Sequence, residues 1–100
     1  MIRHIVMWGL KGDGTEGSPE QSAREMKRQL EQLPGRIPEI LELKVGIADP
    51  DSESNVDIVL ETSFDDWAAL ERYQEHPAHQ EVAEYVKKVR VSRHVIDYVS

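Results

Sequence analysis

The chain has 100 residues, no cysteine and a formal net charge of -7. That length holds one hydrophobic core, so a single domain over residues 1–100 is expected. The acidic balance argues against nucleic acid or an anionic membrane as partner. The lack of cysteine removes disulfides and thiolate metal sites and fits the cytoplasm.

Residues 2–10 open the chain with Ile2, His4, Val6, Trp8 and Leu10 on one face of a strand and Ile5 and Met7 on the other. Apolar residues on both faces predict a strand covered on both sides. The segment lacks the length and cleavage pattern of a signal peptide, and no run approaches the ~20 apolar residues of a membrane span. Residues 11–18 are polar and rich in glycine, which predicts a loop. A helix then starts with Ser18 as N-cap, Pro19 in the first helical position and Gln21 completing a capping box. Ala23, Met26, Leu30 and Leu33 form its apolar stripe, and Pro34-Gly35 ends it.

Residues 41–47 alternate as a second strand, and residues 56–62 read as a third, joined by an acidic turn. Asp65 or Asp66 caps a second helix carrying Trp67, Leu70 and Tyr73. Pro77 breaks that helix at His76, and helical spacing resumes with Val82, Val86 and Val89. Residues 91–99 form a β-branched fourth strand. The order β-α-β-β-α-β predicts an α+β, ferredoxin-like protomer: a four-stranded antiparallel sheet with its helices on one face. The two-faced first strand then asks for cover on the other side of the sheet. A second copy packed sheet against sheet, a homodimer, supplies it.

Several motifs carry chemistry. Gly12 to Gly17 matches G-x-G-x-x-G between a strand and a helix. However, Asp13 and Glu16 would repel a pyrophosphate, and the helix starts only after the third glycine. A flexible loop, or a lid over a pocket, is the better reading. The alternating acids from Asp49 to Asp57 lack the glycine, the terminal glutamate and the helices of a calcium loop. His76 and His79 have a spacing that could share a metal on a helix, but nothing brings His4 and His94 to them, so neither metal nor cofactor is expected. Lys87, Lys88, Arg90 and Arg93 read as cations complementing a helix C-terminus.

Tyr73, His76 and His79 are the most informative group. Tyrosine and histidine can pass protons near neutral pH. On one straight helix Tyr73 and His79 would point well apart, whereas a break at Pro77 could turn both onto one cavity. The plainer reading makes Tyr73 a core residue and His76 a helix cap. His4 is a buried core histidine unless it faces Tyr73 and His79. Trp8 belongs to the core or to a dimer interface. Asp57 either faces solvent or enters the pocket, where it would orient a histidine.

Together, His4-Ile-Val-Met, Leu43-Lys-Val-Gly46, Asp57-Ile-Val-Leu60 with Phe64, Leu70-x-x-Tyr73-x-x-His76-Pro77-x-His79 and Asp97-Tyr98 resemble the stress-responsive dimeric A/B barrel (Dabb) domain family. The resemblance covers nearly the whole chain. It implies a ferredoxin-like protomer whose homodimer closes two sheets into an α/β-barrel. One plant branch is a polyketide cyclase that performs an intramolecular aldol condensation without metal or cofactor. Its tyrosine and histidine correspond to Tyr73 and His79, and its first-strand histidine to His4. Its third-strand histidine corresponds here to Asp57, an acid that cannot copy an imidazole's contacts. No Tyr or Phe lies between Pro19 and Leu33, so the resemblance implies a different pocket and substrate.

Three functions follow. The first is a homodimeric barrel protein with a small-molecule pocket between helices and sheet, taking an apolar or carbonyl-containing ligand. The second is a cofactor-independent cyclase or aldol-type lyase. There Tyr73, His79 and His4 would be catalytic, and Asp57, Trp8 and His76 would contact substrate. The third is a cofactor-free monooxygenase.

Overall fold

The structure is a computed structural model that describes residues 1–11 and 17–100. Its elements run β1 (Ile2–Leu10), α1 (Pro19–Glu31), a 3₁₀ turn (Leu33–Gly35), β2 (Glu42–Ile47), β3 (Ile58–Phe64), α2 (Trp67–Glu75), α3 (Pro77–Val89) and β4 (Arg90–Val99). The sheet order is β2-β3-β1-β4, and every neighbouring pair is antiparallel. This is the ferredoxin-like arrangement expected from the element order. The G-x-G-x-x-G motif lies outside the described residues except for its last glycine, Gly17.

Local chemistry explains where the helices begin. The Ser18 side chain accepts from the Gln21 backbone N–H at 3.2 Å, while the Gln21 side chain accepts from the Ser18 N–H at 2.9 Å. Two donors left over at the helix start are thereby satisfied. Asp66, not Asp65, caps α2 through the Ala69 N–H at 2.8 Å. The third strand starts two residues later than its β-branched run suggests. Residues 56 and 57 are taken up by the turn, and Asp57 serves as a clamp: its carboxylate accepts from the Leu10 N–H at 2.7 Å.

Ile2, His4, Val6, Trp8 and Leu10 are all buried against the helices, beside Ile58, Leu60 and Phe64 of β3. The helices add Met26, Leu30, Leu70, Tyr73, Val82 and Val89 to the same core. Paired residues in neighbouring strands point to the same side of a sheet. The register therefore sets Arg3, Ile5 and Met7 on the opposite face with Tyr98, Ile96 and His94. Helices leave that face uncovered, and Ile96 on it is 57% exposed.

Candidate functional site

A cavity of about 250 Å³ opens between the inner face of the sheet and the helices. β1 supplies His4, Val6 and Trp8 to its wall, β3 supplies Leu60, and the α2–α3 pair supplies Tyr73, His79, Val82 and Val86. The break in the second helical region makes this possible. An unbroken helix would set positions 73 and 79 about 120° apart around its axis. Here α2 stops at Glu75, His76 is extended at φ -66° and ψ 137°, and α3 restarts at Pro77. The rings of Tyr73 and His79 then meet edge to face, 4.7 Å between centroids.

Tyr73 is 1% exposed and packs on Phe64 at 4.9 Å between rings. Among the described residues its hydroxyl has no hydrogen-bond partner. Burial raises the phenol well above its usual range, so it remains a neutral donor at physiological pH. His4, 2% exposed, lies 6.1 Å from Tyr73 between ring centroids. Its Nδ1 is bonded to the carboxylate of Asp97, its cross-strand partner on β4. Thr62, its partner on β3, donates to the His4 carbonyl at 2.9 Å. His4 is thus held from both neighbouring strands, its Nδ1 committed to the carboxylate.

His79 is only partly buried, yet its Nδ1 is enclosed without a hydrogen-bond partner of good geometry. Its pKa is lowered, mainly by burial and then by repulsion from His4 and Arg93, while the Gln74 carbonyl pulls the other way. A histidine in that setting is neutral at pH 7, which is the form a general base requires.

His4, Trp8, Tyr73 and His79 therefore meet at one cavity, and two other expected residues do not. His76 is the N-cap of α3, its Nδ1 accepting from the Ala78 N–H at 3.0 Å. That bond and its extended backbone direct it away from the cavity. Asp57 is also absent from the wall because its carboxylate is used at the end of β1. The acid that orients a histidine is Asp97, which sequence reading found only as part of the Asp97-Tyr98 motif. The pairing of residues 4 and 97 is the missing signal, and it depends on strand register. His94 projects from the opposite sheet face to His4, since it pairs with Met7. The late basic residues also have a second location: Lys87, Arg90 and Arg93 line the cavity.

The family description "Stress responsive A/B Barrel Domain" matches residues 2–100. Comparison with curated proteins gives no match. Among solved structures, a dimeric protein of unknown function and ferredoxin-like fold from Bacteroides fragilis is 27% identical, with a TM-score of 0.86 over 99% of this chain and 95% of its own. A dimeric ferredoxin-like protein of unknown function from Thermobifida fusca is 22% identical, with a TM-score of 0.83 over 99% and 90%. The hydroxynitrile lyase of Passiflora edulis is 20% identical, with a TM-score of 0.81 over 99% and 92%. At these last two identities the likeness is one of fold. The match to the family description spans the four strands and three α-helices of the described residues, and the chain belongs to the stress responsive A/B barrel domain family.

Proposed function

We propose that the protein is a cofactor-independent acid–base catalyst acting on a small carbonyl compound in the cavity beside Tyr73. The observation that carries this reading is the convergence of a neutral phenol, a depressed histidine and a carboxylate-held histidine on one partly apolar cavity. His79 removes a proton from carbon α to the carbonyl. Tyr73 donates a hydrogen bond to the enolate oxygen that forms, and His4, oriented by Asp97, stands as a second group facing the same charge. In an aldol-type step the enolate carbon attacks a second carbonyl, and the alkoxide produced takes back the proton from His79. Every proton is returned, so the step needs no co-reactant. A lyase reaction runs the same chemistry in reverse, and one neighbour of the same fold is a hydroxynitrile lyase.

The test is deuterium exchange at the α-carbon of 4-phenyl-2-butanone in D₂O, followed by proton NMR. The protein should accelerate exchange, and His79→Ala should lose ~10²–10⁴-fold of that acceleration. Exchange that proceeds equally well in His79→Ala and Tyr73→Phe overturns the reading.

A cofactor-free monooxygenase is the second reading, favoured by Trp8 in the cavity wall. It requires dioxygen, so turnover under nitrogen equal to turnover in air removes it. The active form in either case is a homodimer, packed through the sheet face bearing Ile5, Met7 and Ile96. The dimeric neighbours and the exposure of that face support it. The absence of cysteine supports a cytoplasmic setting. No helix among the described residues is long and apolar enough to cross a membrane.

A further inference from the structure

Among the described residues the cavity wall contains Lys87, Arg90 and Arg93 but no aspartate or glutamate, in a chain with 19 acidic residues against 12 lysines and arginines. Chance placement would favour acids there. The two arginines come together through a specific irregularity. Trp8 pairs with Arg93 and Gly9 with Ser92, but Leu10 pairs with Arg90, so β4 carries one extra residue, Val91. In a regular strand, positions 90 and 93 face opposite sides. The bulge restores Arg90 to the side of Arg93, the side of the cavity. Gly9 accommodates the distortion: a Cβ there would lie 2.6 Å from Ser92 Oγ, which instead accepts from the Gly9 N–H at 3.0 Å.

Neither guanidinium has a carboxylate at ion-pair distance among the described residues, and Lys87 has only Glu84 at 3.9 Å. Trp8, on the same wall, is 6% exposed, and its indole N–H is buried without a partner. A buried donor of this kind is costly unless a ligand or water satisfies it. Between these groups and the His4, Tyr73 and His79 rings the wall is aliphatic, with Val6, Leu30, Leu60, Val82 and Val86.

We infer that the cavity takes a small carboxylate with an apolar body. Its anionic end is held by Arg90 and Arg93, and its body lies against the aliphatic wall toward Tyr73. Guanidinium presents a planar fork that matches a carboxylate in two parallel hydrogen bonds. The volume of about 250 Å³ suits a compact molecule and lies below the usual range for drug-sized ligands. This inference names the substrate class of the reaction proposed above and rests on that reaction using this cavity.

Unreactive ligands test it separately from catalysis. Binding of 3-phenylpropanoate and of its neutral counterpart 3-phenylpropanamide is titrated by NMR, following the Trp8 indole N–H signal. The carboxylate should bind ~10-fold or more tightly than the amide. Arg90→Gln with Arg93→Gln should abolish that preference, and Arg93→Lys alone should retain part of it. Equal affinity for acid and amide, no shift of the Trp8 signal, or an undiminished preference in the double variant overturns the inference. Tighter binding of 2-phenylethyl phosphate than of the carboxylate overturns it as well, in favour of a phosphorylated ligand. Since these ligands do not react, such failures leave the acid–base proposal standing, to be judged by deuterium exchange.

Discussion

In the proposed reaction Tyr73 has two tasks that one substitution can separate. Its ring fills the core against Phe64, while its hydroxyl has no partner among the described residues. Tyr73→Phe should therefore change stability by less than ~1 kcal/mol while reducing α-exchange ~10²–10³-fold. Tyr73→Ala should cost ~3–5 kcal/mol by leaving a cavity. Chemical denaturation and the exchange assay on the same samples check both. In the proposed reaction His79 sets the pH dependence. Its folded pKa lies below its ordinary value of 6.5, so the unfolded chain binds more protons between those two values. The group's contribution is fully present above pH 6.5 and is lost as pH falls from there through the folded value. His79→Gln should flatten that part of the stability profile, and in the native protein the acid limb of the exchange rate should lie below pH 6.5. Tyrosine and histidine were legible in the sequence as proton-handling side chains. Burial was not, and burial gives each the protonation state that the proposed reaction requires.

At the scale of elements, two caps of similar kind have different consequences. Ser18 caps α1 and takes no part in the cavity wall, whereas His76 caps α3 at the break that turns His79 toward Tyr73. Ser18→Ala and His76→Ala should each cost ~0.5–2 kcal/mol, measured by urea titration. Only His76→Ala should also lower α-exchange, because it loosens the junction between Tyr73 and His79. Equal activity in the two variants would show that Pro77 and packing hold the junction without the cap. The capping box and the proline break could be read from sequence because each is a contact within four residues. Asp57 and Asp97 could not be sorted that way. Both are acids near strand ends, and only register shows that one holds the Leu10 N–H and the other His4.

The whole molecule has one sheet face covered by helices and one left open. Arg3 spans the open face toward Glu61 at 4.0 Å, with Ile5, Met7 and Ile96 around it. Burying that patch in a second copy is the expected use of it. Ile5→Lys with Ile96→Lys places two charges where the sheets would meet. Light scattering should show a dimer for the native chain and a monomer for this variant. A native chain that stays monomeric at micromolar concentration defeats the barrel arrangement. The variant should also lose stability if the dimer supplies part of the burial that a chain of 100 residues lacks.

The sequence by itself determined the element order, the helix starts, the break at Pro77 and the two-sided character of β1. These follow from periodicities of two and 3.6 and from hydrogen bonds between near neighbours in the chain. It also marked Tyr73 and His79 as the pair worth following. Only the tertiary structure decided which residues share their cavity. His4 joined through sheet register, backed by Asp97 through the β1–β4 pairing, and Arg90 with Arg93 joined through a one-residue bulge. His76 and Asp57 left it for backbone bonds of their own. The physical reason is that, apart from the local cap made by His76, these assignments depend on contacts between residues 47 to 93 positions apart, which local patterning does not encode.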